Sequence, residues 1–289
     1  MSWALFLVLH LVGLVGYTIQ LKKSPLAKAD KYLVSALMTS FMFLPSVVFA
    51  ISGKVHMDVA QQNVGWIVLQ ALLYVGVNLL TVQALNHLDA SVFTIIYSTR
   101  LLFVTVLAAV ILREVPPAMQ IVGGCVILAS IFLLNLHKNR QYLSRPVLYG
   151  FAATLWFSLN AVAEKHLVSH IGVYQTVFFA TGLTVVLQWL LVIMRRTKLA
   201  EYKNKIFHKE TAMLMIYRPL SMWFYIFAVS SGAVAVVNYV SGMGVVLIVG
   251  IGIVILKERE HIAQKLAATA LAFVGFTIIL ISKLGIFSL

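Results

Sequence analysis

"LREVPPAMQIVGG" (Leu112–Gly124) and "LKEREHIAQKLAA" (Leu256–Ala268) stand 144 residues apart and read as two copies of one segment. Glu114 falls on Glu258, Gln120 falls on Gln264, and the apolar run before each Glu keeps its length. The match reaches back weakly, with Ala84 over Ala228. What such a repeat means depends on the medium in which the chain folds.

Composition settles the medium. The 289 residues are 61% hydrophobic and only 11% charged, and the mean hydropathy is +0.97. A soluble domain of this length is about half apolar. The chain therefore reads as an integral membrane protein.

Ten apolar stretches are long enough to cross about 30 Å of hydrocarbon. They run from Trp3 to Leu21, Tyr32 to Ile51, Val64 to Leu85, Ser91 to Leu112, Pro117 to Leu136, Val147 to His166, Tyr174 to Met194, Met213 to Ala228, Ala233 to Leu256 and Ile262 to Leu284. The first reads as a span rather than a cleavable signal, because it ends in Lys22 and Lys23 where a small-residue cleavage site would be needed. The repeat divides the spans into residues 1–140 and 141–289, five in each. An odd number per copy makes the copies cross the membrane in opposite senses. The expected fold is thus all-α, with ten transmembrane helices in two inverted five-helix repeats, an architecture of secondary transporters with a site near the midplane.

The net charge of +13 follows from topology. Fifteen Lys and Arg fall in the odd-numbered connections, against four, Lys54, Arg113, Lys165 and Lys283, in the even-numbered ones, the termini and the span ends beside them. The positive-inside rule then puts the loops Lys22 to Lys31, Lys138 to Arg145 and Arg195 to Lys209 in the cytoplasm and both termini outside. Nucleic acid is not an expected partner. The single cysteine, Cys125, excludes an internal disulfide.

The segments "AVILREVPPAMQIVGGCVILASIFLL" and "GIVILKEREHIAQKLAATALAFVGFTIIL", with "ATLWFSLNAVAEKHL" in the sixth span, resemble the EamA-type transporters of the drug/metabolite transporter superfamily. The resemblance covers essentially the whole chain. It implies a ten-helix carrier of a small metabolite in the inner membrane, with the first four helices of each half around a central cavity and the fifth outside. Family members often carry a Pro near the start of the fourth and ninth helices, which this chain lacks around Leu101 and Val245. No particular substrate is carried over.

Arg100 stands about ten residues into the fourth span, a depth at which a lipid-facing charge costs at least about 3 kcal/mol. It is expected to point into the protein, either as a structural ion pair or cap, or as an anion-binding group whose fork donates two parallel hydrogen bonds. Arg218 in "MIYRPLSMWFY" is the second candidate, and Pro219 after it is expected to break the eighth helix locally. Arg218 could instead snorkel to the interface.

Polar residues fall on helical stripes: Gln70, Tyr74 and Asn78; Trp156, Asn160 and Glu164; His10, Gly13, Tyr17 and Gln20; and Asn238, Ser241 and Gly242. The candidate substrate shell is Tyr74, Asn78, Tyr97, Trp156, Asn160, Asn238 and Tyr239 around Arg100 and Arg218. Of the nine acidic residues only Glu164 falls inside a span, and beside Lys165 it is expected at the interface as an ion pair. The first span has no carboxylate, which disfavours a multidrug cation exporter. Glu114 and Glu258 are expected to cap the outer helices that follow them.

His166 and His170 lack the carboxylates of a metal site, and no nucleophile–base pair is apparent. No enzyme, cofactor or metal is expected. The expected function is a secondary transporter of a small polar metabolite, anionic or zwitterionic, in contact with membrane lipids and driven by a proton or another coupling ion. A lipid or lipid-headgroup flippase is the alternative.

Overall fold

The computed structural model describes residues 3–56, 58–100, 103–104, 106–107, 118–135, 145–231, 234–257 and 260–283. Among them there are helices and turns and no strands. The helices that follow the apolar spans are α1 (Trp3–Lys23), α2 (Lys31–Ile51), α3 (Val64–His87), α4 (Ala90–Tyr97), α5 (Ala118–Asn135), α6 (Arg145–Ile171), α7 (Val173–Met194), α8 (Lys209–Ser231), α9 (Val234–Ile255) and α10 (Ile262–Lys283). Five are long and apolar enough to cross a membrane by length and composition, at Leu5–Lys23, Lys31–Ile51, Gln61–His87, Arg145–Ile171 and Val173–Met194.

Local chemistry sets the turns. Ser24 accepts from the Ala27 N–H and Pro25 opens a short helix, Pro25–Ala29. Asp30 then caps α2, its Oδ1 accepting from the Tyr32 and Leu33 N–H groups at 2.8 and 3.0 Å. Two caps six residues apart turn the chain back with few exposed backbone donors.

The most extensive contacts pair α1 with α8, α5 with α10, α3 with α6 and α2 with α7; α9 also packs on α10, α4 and α1, and α2 on α8. Two close approaches need glycine. A Cβ on Gly13 would stand 2.5 Å from the Ser221 backbone nitrogen, and one on Gly275 would stand 2.7 Å from the Gly123 carbonyl oxygen. Small residues let helices meet where lipid supplies no hydrophobic drive between them.

The largest apolar cluster gathers the end of α1, the start of α2, the end of α3 and the start of α8, through Leu21, Leu33, Leu85, Leu214 and Met215. Polar ties cross the same end. Lys22 Nζ donates to the carbonyls of Leu85 and Leu88, where the negative end of the α3 dipole favours a cation. The hydroxyls of Ser24 and Thr211 lie 2.9 Å apart, and Lys265 Nζ donates to Asp89 Oδ2 at 2.7 Å.

One expectation is corrected. Pro219 does not break its helix: α8 is continuous from Lys209 to Ser231 with the proline inside. The irregularity lies in α7, where Val177–Thr181 forms a π turn, a single-turn widening of the helix. Glu114, Glu258, Pro116 and Pro117 lie outside the described residues, so the expected caps at Glu114 and Glu258 do too.

Candidate functional site

A cavity of about 130 Å³ lies in the bundle and is lined from α1, α3, α6, α7, α8, α9, Phe276 of α10 and the segment Phe93–Arg100. This is room for several waters or a small metabolite. The spacing of polar residues along each helix brings them inward: His10 and Tyr17 on α1, Gln70 and Tyr74 on α3, Asn160 and Glu164 on α6, and Arg218, Ser221 and Tyr225 on α8.

Arg218 is the more elaborately held guanidinium. Its Nη2 donates to Tyr74 Oη at 2.9 Å and to Asn78 Oδ1 at 3.4 Å. Its carbon centre lies 4.5 Å from the Tyr17 ring centroid and 5.9 Å from that of Tyr74. Contacts of this kind contribute roughly 2 kcal/mol when desolvated. The Arg218 Nε is buried without a protein partner, so the group keeps unused donor capacity. Asn78 in turn donates to Thr39 Oγ1 at 3.4 Å, and Thr39 hydrogen-bonds to Gln188. The chain of contacts thus ties α8, α3, α2 and α7 together.

Arg100 has a lighter hold. Its Nη2 donates to Ser241 Oγ at 3.3 Å, and its guanidinium stands 5.0 and 5.3 Å from the Tyr97 and Phe157 ring centroids. Ser241 links it to His10. His10 Nδ1 is 2.8 Å from the Ser221 carbonyl oxygen, which can only accept, so Nδ1 carries the proton. Nε2 of the neutral ring then accepts from the Ser241 hydroxyl at 2.9 Å, whose oxygen accepts from Arg100.

Among the described lining side chains the charged ones are Arg100, Arg218 and Glu164. Glu164, expected at the interface, instead lines the cavity within the electrostatic reach of Arg218. Asn160 is only 1% exposed and neither atom of its amide has a partner, while Gln70, 7% exposed, leaves Oε1 unpartnered.

The cavity brings together Arg100, Arg218, Tyr74, Tyr97 and Asn160 of the expected shell. Asn78 is buried one turn beyond Tyr74 and reaches the site only through Arg218. Trp156 does not line the cavity: it is 39% exposed and packs against Gly76. Four residues advance a helix by about 400°, so each step along such a stripe drifts about 40°. Trp156 has drifted out while Asn160 and Glu164 stay in. Asn238 and Tyr239 lie outside the residues whose side chains are described. Ser221 and Tyr225 were not singled out from sequence, although both follow Arg218 at helical spacing.

Among the described residues no group of three or more His, Cys, Asp or Glu could hold a metal. His166 and His170 stack on each other at 4.1 Å, and Trp66 stacks on His166 at 4.2 Å.

Comparison with curated proteins gives no match. A crystal structure titled only as that of a protein matches with a TM-score of 0.67 at 14% identity, covering all of both chains, one of 25 solved chains that match. It shares the fold. The model of the EamA-like transporter family matches residues 1–136, which carry α1 to α5 and the Arg100 side of the cavity. With its apolar helices the chain is a multi-pass membrane protein, and its residues 1–136 are similar to the EamA-like transporter family.

Proposed function

We propose that the chain is an alternating-access secondary transporter of a small anionic metabolite, built as two inverted five-helix repeats in the inner membrane, with both termini outside. One observation carries the substrate class: two guanidinium groups and one carboxylate line a single cavity. A cavity with that balance attracts an anion, and Arg218 Nε is an unused donor at the site.

The helix contacts support the repeat. Exchanging each helix for the one five places on turns the pair α1 and α8 into α6 and α3, and the pair α1 and α9 into α6 and α4; all four contacts are present. The pairs α2 with α7, α4 with α9 and α5 with α10 map onto themselves. Arg218 and Tyr74, which share a hydrogen bond, are 144 residues apart, the shift of the repeat.

The test is ligand-induced thermal stabilisation of the purified protein across anionic, zwitterionic and cationic metabolites, with Arg218→Gln alongside. A ligand that binds the folded state raises its apparent stability by mass action. Stabilisation by anions that the substitution removes supports the reading. Stabilisation by cations alone, or an anion response unchanged in Arg218→Gln, overturns it.

A further inference from the structure

Asn160 and Gln70 offer the cavity hydrogen-bonding atoms that no protein group uses. Asn160 presents an Nδ2 donor and an Oδ1 acceptor, and Gln70 an Oε1 acceptor, all buried. Native interiors rarely leave such atoms unpaired, and both residues line the cavity beside Arg218.

The packing of α3 on α6 brings the two residues level. Trp66 stacks on His166 and Gly76 packs against Trp156, ten residues further along one helix and ten back along the other. Gln70 therefore lies level with Val162, two residues, or about 3 Å of helix rise, from Asn160. Tyr74, the partner of Arg218, is one turn along α3 from Gln70.

We infer that Asn160 and Gln70 form a neutral subsite that reads a hydroxyl on the anion held at Arg218, so that the substrate is a small hydroxylated carboxylate or phosphate. The inference rests on the anion site proposed above and adds what the rest of the ligand must carry. A hydroxyl donates one hydrogen bond and accepts others, so it can donate to Gln70 Oε1 while accepting from Asn160 Nδ2. An ammonium group has donors only, so it could serve Gln70 Oε1 and Asn160 Oδ1 but never the Asn160 Nδ2 donor, whereas the hydroxyl serves that donor and one acceptor and leaves Oδ1. A methyl group neither donates nor accepts and would leave all of these atoms unpaired. Sites built to bond a hydroxyl reject the analogue that lacks it far more strongly than apolar pockets reject a methylene.

The experiment compares matched probes on the purified full chain: propionate, lactate and alanine, and n-propyl phosphate against sn-glycerol 3-phosphate. The concentration giving half-maximal thermal stabilisation is read for wild type, Asn160→Leu and Gln70→Met. The hydroxylated probe of a series is expected to act at about tenfold lower concentration than its deoxy partner. Both substitutions should erase that gap while leaving the deoxy probe's response in place. Neither should lower the melting temperature without ligand, because each removes unpaired buried polar atoms. Equal responses to hydroxylated and deoxy probes overturn the subsite and leave the anion site standing. A preference for alanine, a gap that survives both substitutions, or a fall in ligand-free melting temperature in both variants also overturns it. If no anion stabilises wild type, the anion site fails and this inference fails with it.

Discussion

Arg218 and Arg100 reach the same cavity from α8 and from just beyond α4, and they are held in different ways. Arg218 is caged by two tyrosine rings, bonded to Tyr74 and Asn78, and tied through Thr39 to Gln188. Arg100 has one 3.3 Å bond to a serine hydroxyl shared with His10 and two more distant rings. The first arrangement fixes a charge and leaves Nε free for a ligand. The second links a charge to a titratable ring through one small residue. Depth along a span does not predict this difference: Arg100, deep in its span, has the lighter hold, and Arg218, near the start of its span, has the firmer one.

The sharpest way to break the comparison is Arg218→Gln. It removes the charge and the donor at the centre of the cage, and anion-dependent stabilisation should fall by about thirtyfold or more, the low end for truncating a buried hydrogen-bonded charge. Arg100→Gln should weaken the same response by about tenfold, as expected for the loss of one charged hydrogen bond of roughly 1.5 kcal/mol. Equal losses in titrations of the two variants would mean that the arginines act as one unit and that the contrast in their settings has no functional weight.

Tyr74→Phe sharpens the comparison further. It keeps the ring but removes the hydroxyl that orients Arg218, with an expected cost of about 1 kcal/mol and a severalfold weaker response. Ser241→Ala should have the smallest effect on anion affinity, about twofold, since it cuts the link from Arg100 to His10 without touching the Arg218 cage. Its signature should be a changed pH profile of ligand binding, because His10 loses the donor at Nε2. A Ser241→Ala loss larger than that of Tyr74→Phe would reverse the ranking of the two sites.

The helical elements were legible in the sequence because hydrocarbon imposes a length and a polarity on every span. Apart from α4, whose described stretch ends at Tyr97, the helices start and stop within a few residues of the apolar runs, and some run on past them. α8 begins at Lys209 rather than near Met213, and α6 runs on to Ile171 rather than His166. Polar residues continue a helix past the membrane surface, where hydropathy no longer marks it. The cavity was partly legible. Helical spacing found His10, Tyr17, Gln70, Tyr74 and Asn160, and intramembrane charge found Arg218; but a stripe gives no direction, so Trp156 was included, and the neighbouring Lys165 drew Glu164 to the interface. Pairings across the bundle, such as Asn78 with Thr39 or Arg100 with Ser241, join residues 39 and 141 positions apart and depend on how the helices meet.

The sign of the cavity bears on energy coupling under the proposed function. With two arginines and one glutamate, its formal charge is positive whether or not Glu164 is protonated. If the site changes sides while empty, that charge crosses part of the electric field, at up to about 2.3 kcal/mol per elementary charge per 100 mV. A monoanion aboard would cancel one unit. Return of the empty carrier would then depend on voltage more steeply than transit of the loaded one, and swapping one anion for another would avoid the electrically costly step.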